Sequence, residues 1–285
     1  MAVSVALSDR LRAYAGFVKL EHSVFSLPII LAGAILGAGG WPPARLLGLI
    51  VLAAVAGRVM AMGFNRLIDA EIDRRNPRTR MRELPRGAMQ AWEGWLVVAA
   101  AGLIYVAAAG AIAPVCLALS PIPVALFVVY PYLKRLTSLA HVGLGLAWSM
   151  APLGGWLAAA RSLERLRESG WLWLFSLLWV AGFDVIYATM DEAFDREAGL
   201  HSLPARWGKR RALAAAAAAH VLAFACLVML WFQQGMAKPA LAWLAALAGL
   251  FVWQHAVAGR KPEFAFFQLN AATGFLVLWC VVAGV

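Results

Sequence analysis

Long apolar runs separated by short polar stretches recur nine times along the chain, near 23–40, 46–68, 91–112, 115–133, 141–160, 171–190, 212–232, 239–257 and 264–284. Each is close to the roughly 20 mostly apolar residues that carry a helix across a bilayer. The pattern predicts an all-α, polytopic membrane bundle of about nine transmembrane helices. The third and fourth runs are separated only by the stretch around Pro114, which predicts a tight helical hairpin. Residues 1–22 carry Arg10, Arg12, Lys19 and Glu21 on an amphipathic pattern without a small-residue cleavage site. They read as an interfacial helix, not a signal peptide. No stretch reads as a linker, so residues 1–285 are expected to form a single domain.

Composition agrees with a membrane protein and excludes most others. Of 285 residues 63% are hydrophobic and 14% charged, and the mean hydropathy is +0.75. An ordinary globular chain is roughly half apolar and about a quarter charged. A soluble enzyme, a secreted disulfide scaffold and a disordered regulator are set aside. Cys116, Cys226 and Cys280 each sit in an apolar run and read as small buried hydrophobes. The net charge of +10 would suggest nucleic acid in a soluble chain. Here its distribution records orientation instead. Alternating nine spans puts 19 Lys and Arg on the side of the N-terminus and five on the other, with Arg58 inside a span. The basic side is expected to be cytoplasmic.

The two longest polar stretches, 69–90 and 191–211, fall on that side and are rich in acids as well as bases. Asn65, Asp69 and Asp73 stand at i, i+4 and i+8, one face of a helix at 3.6 residues per turn. Arg58 falls on the same face, deeper. Asp184, Asp191 and Asp195 stand at i, i+7 and i+11, with Tyr187 beside them. Like charges at i and i+4 repel, and the end of a membrane span adds a desolvation cost. A divalent cation relieves both. Carboxylate and amide oxygens suit Mg²⁺, which shares its remaining positions with substrate phosphates. Two clusters imply Mg²⁺ ions bridged by a diphosphate, with Arg and Lys neutralising the remaining charge. Asp69 and Asp191 lie 122 residues apart, close to half the chain, and each acidic motif precedes a similar loop, Glu83-Leu84-Pro85-Arg86-Gly87 and Ser202-Leu203-Pro204-Ala205-Arg206-Trp207-Gly208. Two related half-bundles account for the repetition.

The motifs Asn65-x-x-x-Asp69-x-x-x-Asp73 and Asp184-x-x-Tyr187-Ala188-x-x-Asp191-x-x-x-Asp195 resemble the paired aspartate-rich motifs of the UbiA superfamily of intramembrane prenyltransferases. Within it, Asn65-Arg66-Leu67-Ile68-Asp69, Asn76-Pro77-Arg78-Thr79 and Glu83-Leu84-Pro85 are most similar to the 4-hydroxybenzoate polyprenyltransferase branch. The Asp184–Asp195 motif with His201-Ser202-Leu203-Pro204 also resembles the branch that prenylates a dihydroxynaphthoate for menaquinone. The resemblance implies Mg²⁺-dependent transfer of a polyprenyl group from its diphosphate to a small hydroxyaromatic acid, in a cavity open to lipid, during quinone biosynthesis. It implies metal–diphosphate roles for Asn65, Asp69, Asp73, Asp191 and Asp195, with Asp184 alongside. It matches Arg58 to a basic residue in the cavity and Lys134 to a diphosphate-contacting lysine. Lys19 stands where related enzymes often carry arginine, keeping the charge without the bidentate fork. The implied setting is the inner, cytoplasmic membrane, with the active site facing the cytoplasm.

The chemistry so implied is electrophilic aromatic substitution, with charge on the departing diphosphate stabilised by Mg²⁺ and cationic side chains. Arg58 is the expected anchor for the acid's carboxylate, and Asp191 or a diphosphate oxygen the expected proton acceptor. Tyr130 and Tyr187 read either as cavity donors whose rings steady a cation or as interfacial anchors. The five His share no spacing and read as ordinary polar or packing residues. Gly33-x-x-x-Gly37 reads as close helix packing or a dimer seam. A cation-coupled transporter would hold its acids near midplane, and the CDP-alcohol phosphotransferases gather theirs in one motif. This chain has two clusters, both at span ends. Nucleic acid is not needed to explain the charge.

Overall fold

The computed structural model describes residues 10, 12–19 and 23–285. The expected apolar runs are all helical. The helices are α1 (Ser23–Ala38), α2 (Ala44–Ile68), α3 (Ala70–Arg75), α4 (Ala91–Ile112), α5 (Pro114–Leu119), α6 (Pro121–Leu133), α7 (Ala140–Ala160), α8 (Gly170–Ala188), α9 (Glu192–Glu197), α10 (Leu203–Trp207), α11 (Lys209–Gln233), α12 (Ala240–Ala258) and α13 (Pro262–Gly284). Among the described residues eight spans are long and apolar enough to cross a membrane, and α1 is shorter. The protein is a multi-pass integral membrane bundle. The fourth run is one span, Pro114–Leu133, divided at Ser120 into α5 and α6. Pro121 lacks the N–H that would continue the ladder and sits at the start of α6.

Residues 10 and 12–18 of the expected N-terminal amphipathic helix are helical; 1–9, 11 and 20–22, including Glu21 and His22, lie outside the described residues. This helix rests on protein. Ala13, Phe17 and Val18 are buried against Leu84 and Met89. The Tyr14 hydroxyl donates to Glu93 Oε1 at 2.8 Å, and Arg10 pairs with the same carboxylate.

Lipid tails are as apolar as leucine, so helices in a bilayer associate by close packing and hydrogen bonding. The closest packing joins α1 to α7. A Cβ on Gly33 would stand 2.2 Å from the Pro152 carbonyl oxygen, one on Gly37 2.4 Å from that of Trp156, and one on Gly155 2.3 Å from that of Ile30. No side chain fits there. The Gly33-x-x-x-Gly37 pattern is therefore an intramolecular seam. Around it, α1 also meets α13, α2 meets α4 and α6, and α8 meets α7, α11 and α13. The α2–α4 pair recurs as α8–α11, and α6–α7 as α12–α13. That recurrence is the structural form of the two related halves.

The second half is pinned by polar side chains within its apolar core. Trp179 Nε1 and Gln254 Nε2 both donate to Asn270 Oδ1 at 3.0 Å, while Asn270 Nδ2 donates to the Phe266 carbonyl at 2.7 Å. His220 Nδ1 lies 2.9 Å from His255 Nε2, and its Nε2 lies 3.1 Å from the Trp179 carbonyl. These two histidines fill the packing role expected of them. Each such contact contributes about 0.6–2 kcal/mol in a bilayer.

Candidate active site

The two acidic motifs share one local structure. Helix α2 stops at Ile68, and Asp69 (φ −93°, ψ 0°) precedes the six-residue α3. Helix α8 stops at Ala188, and Asp191 (φ −108°, ψ 7°) precedes the six-residue α9. The Asp73 amide bonds to the Asp69 carbonyl at 2.8 Å, and the Asp195 amide to the Asp191 carbonyl at the same distance. An aspartate in this position normally accepts from the amides of the helix it begins. Neither Asp69 nor Asp191 does. Both carboxylates turn into the cavity instead. The expectation of continuous helical faces is thus corrected, since each helix is interrupted at its central aspartate. The residues still line one cavity, because backbone bonds cross each break, i+4 at Asp69 and i+3 from Thr189 to Asp191.

The loops after α2, α6 and α8 meet at one end of the bundle, hereafter the charged end. Asp69 is only 2% exposed. It accepts from Lys134 Nζ at 2.6 Å, Asn65 Nδ2 at 3.1 Å and Arg135 at 3.3 Å. Arg82 reaches both oxygens of Asp73, at 2.9 and 2.7 Å. Asp191 accepts from Asn76 Nδ2 at 2.8 Å and from Arg78 Nε at 2.9 Å, and it pairs with a second guanidinium nitrogen of Arg78. Arg78 also donates to the Tyr187 hydroxyl at 2.5 Å and lies over that ring, 4.6 Å from its centroid. Burial works against the Arg78 charge, but Asp191 and Tyr187 raise its pKa above the ordinary arginine value. Asp195 is shifted up by burial, with Ser202 opposing and the charge of Asp191 reinforcing. Asp184 Oδ2 lies 2.6 Å from His141 Nδ1.

These groups line the mouth of a cavity of about 790 Å³ that runs past Arg58, Tyr105 and Trp148 to Ile50, Ile112, Cys116 and Ala158. Ile50 lies 19 residues before Asp69, nearly a hydrocarbon thickness at about 1.5 Å per helical residue. The expected residues Lys19, Arg58, Asn65, Asp69, Asp73, Tyr130, Lys134, Asp184, Tyr187, Asp191 and Asp195 all line it. Tyr130 and Tyr187 therefore face the cavity. Asn76, Arg78, Arg82 and His141, which the spacing argument did not single out, line it too. Their partners lie up to 115 residues away, so no local spacing reveals them. The nearest signal was the Asn76-Pro77-Arg78-Thr79 stretch. Lys134, Arg135, Arg82 and Arg78 pair with these carboxylates.

A membrane-embedded chamber with a cation-ringed mouth and an apolar interior is built for an amphiphile, anionic at one end and oily along the other. The sequence profile of the UbiA prenyltransferase family matches residues 26–272, and the chain belongs to that family. A solved apo structure of a UbiA homolog from Aeropyrum pernix K1 is similar at TM-score 0.85 and 36% identity, over 92% of this chain and 98% of that one. A UbiA homolog from Archaeoglobus fulgidus bound to GPP and Mg²⁺ shares the fold at TM-score 0.66 and 16% identity, over 95% and 99%. The 4-hydroxybenzoate octaprenyltransferase of Shewanella sediminis is 27% identical over 71% of each chain, and that of Shewanella halifaxensis 24% identical over 96% of each.

Proposed function

We propose that this prenyltransferase moves a polyprenyl group from polyprenyl diphosphate to 4-hydroxybenzoate in quinone biosynthesis. The observation that carries this reading is the pair of helix breaks with an aspartate at each, one from each half, facing a single oily cavity ringed by Lys134, Arg78 and Arg82. The 4-hydroxybenzoate octaprenyltransferase relatives support the choice of acceptor. The excess of Lys and Arg at the charged end supports a cytoplasmic site in the inner membrane.

The donor set fits Mg²⁺. Asn65, Asp69, Asp73, Asp191 and Asp195 bring carboxylate and amide oxygens, the hard ligands this ion takes, and the mouth already gathers four cationic side chains around them. When bound, Mg²⁺ offsets the charge that grows on the diphosphate as it leaves. Lys134, Arg78 and Arg82 exchange their carboxylate partners for phosphate oxygens and hold the leaving group, with Lys19 at the rim. The allylic C–O bond breaks with its electron pair on the diphosphate. A ring carbon of the acceptor bonds to the allylic carbon, and the ring proton passes to Asp191 or a diphosphate oxygen. Arg58 anchors the acceptor's carboxylate. Tyr130 and Tyr187 face the developing cation, and the apolar wall excludes the water that would capture it.

The test is Mg²⁺-dependent pyrophosphate release and ring prenylation by the purified protein, with 4-hydroxybenzoate and 1,4-dihydroxy-6-naphthoate offered separately. Prenylation of the benzoate, abolished by Asp69→Ala and by Asp191→Ala, is the expected result. Transfer only to the naphthoate overturns the acceptor. No release with either acceptor, or release indifferent to both substitutions, overturns the reaction.

A further inference from the structure

Asp184 differs from the other carboxylates in its partner. Asp69, Asp73 and Asp191 are each held by a Lys or Arg. Asp184 is held by His141, which is 4% exposed and lies at the second position of α7. The other ring nitrogen of His141, Nε2, lies 3.1 Å from the Leu203 backbone amide at the start of α10. An amide N–H only donates, so Nε2 is the unprotonated acceptor. The ring's hydrogen then sits on Nδ1 and is donated to Asp184 Oδ2 at 2.6 Å. The imidazole is neutral, so it orients the carboxylate without cancelling its charge. One oxygen of Asp184 is committed to His141, and the carboxylate lines the cavity.

Its place in the repeat sets Asp184 apart as well. Asp69 and Asp73 lie 122 residues before Asp191 and Asp195, so the two clusters correspond. The counterpart of Asp184 at the same offset is Met62. Asp184 therefore has no carboxylate counterpart in the first half. It also lies seven residues before Asp191 on α8, about two helical turns further from the charged end. Arg58 is four residues before Met62, about one helical turn deeper on α2 than the position that corresponds to Asp184. That step matches the span of a single ring carrying a carboxylate at one end and a hydroxyl at the other.

Resting on the prenyltransferase reading above, we infer that His141 is a positioning residue for the aromatic acceptor. It holds Asp184 so that the second carboxylate oxygen receives the acceptor's hydroxyl while Arg58 receives its carboxylate. Asp184, grouped with the metal ligands by sequence spacing, thereby belongs to the acceptor. Through the Leu203 amide, the α9–α10 loop that closes the charged end is wired to the same carboxylate.

The experiment uses the full chain in lipid nanodiscs. His141→Leu removes both bonds, whereas in His141→Asn the amide nitrogen stands where Nδ1 stood. Leu203→Pro removes only the backbone donor at a helix-start position that accepts proline, with Leu203→Ala as the control for lost side-chain packing. Loss of a hydrogen bond to a charged group is expected to cost about 10–100-fold in activity. For His141→Leu that loss is expected in kcat/KM for the acceptor, with the Mg²⁺ half-saturation and the prenyl diphosphate KM unchanged. His141→Asn recovers most of it, and Leu203→Pro loses more than Leu203→Ala. Equal losses in His141→Leu and His141→Asn, or a loss carried by the Mg²⁺ half-saturation, overturn the inference. Nitrogen-15 histidine spectra of the wild type, with the His141 signal assigned by its absence in His141→Asn, check the geometry without turnover. A proton on Nε2 overturns it. A wild type with the Nδ1–H tautomer and no prenyl transfer to either acceptor refutes the prenyltransferase reading while leaving the His141–Asp184 bond intact.

Discussion

A carboxylate at the start of a helix that ignores the helix's own amides has been recruited for another task, and Asp69 and Asp191 both do this. Asp191 is gripped by two nitrogens of Arg78, whose guanidinium also lies over the Tyr187 ring. Shape as well as charge is used here. Lysine is a point charge and cannot reproduce a planar fork that also stacks. Arg78→Lys is therefore expected to lose nearly as much kcat/KM for the prenyl diphosphate as Arg78→Ala, on the order of tenfold or more for a charge-assisted pair worth about 1.5–3 kcal/mol. Steady-state kinetics on both variants decide the point, and recovery by Lys would reduce Arg78 to a point charge. At this scale the cavity-lining aspartates were legible from spacing, because a helical period relates residues on one element. Arg78, Arg82 and His141 were not. Seven arginines crowd residues 66–86, and nothing local says which one crosses to the other half.

At the scale of the element, two devices decide where the side chains end up. The first is the interruption of α2 and α8 at their aspartates. The sequence pattern did not reveal it, since neither break carries a proline or glycine: the residues are Ile68-Asp69-Ala70 and Thr189-Met190-Asp191. The second is the α1–α7 seam, which the Gly33-x-x-x-Gly37 spacing did reveal, though not whether it lay within one chain. Backbone oxygens at 2.2–2.4 Å from an added Cβ cannot yield as a side-chain tip can. Gly33→Ala is expected to force α1 from α7 and destabilise by about 1–3 kcal/mol, the usual cost of overpacking. Gly48, on α2, has open space at its Cβ. Gly48→Ala is the matched control and is expected to leave thermal stability in detergent unchanged. Equal melting temperatures for the two variants would remove the seam from the account of the fold.

For the whole molecule, the spans and the net charge were readable early because bilayer thickness and the placement of Lys and Arg impose them. Pairing between halves was not readable, since it depends on which helices become neighbours. The structure joins the halves at the charged end through the Asn76–Asp191 and Arg78–Asp191 contacts and the bond from the His201 amide to the Lys134 carbonyl at 2.8 Å. The carboxylates there pair with the protein's own cations, Lys134, Arg135, Arg82 and Arg78. On the proposed reading the carboxylates would hold Mg²⁺ and Lys134, Arg78 and Arg82 would hold the diphosphate. Ligands that bind the folded state alone stabilise it by mass action, by about 2.7 kcal/mol at a hundredfold excess over Kd. Prenyl diphosphate and Mg²⁺ together are therefore expected to raise the melting temperature more than the sum of each alone. Asp69→Asn and Asp191→Asn should each abolish that excess, since one carboxylate from each half is needed to close the bridge. If either variant keeps the full shift, the two clusters do not act as one site. The cation ring would then bind the diphosphate without help from that half.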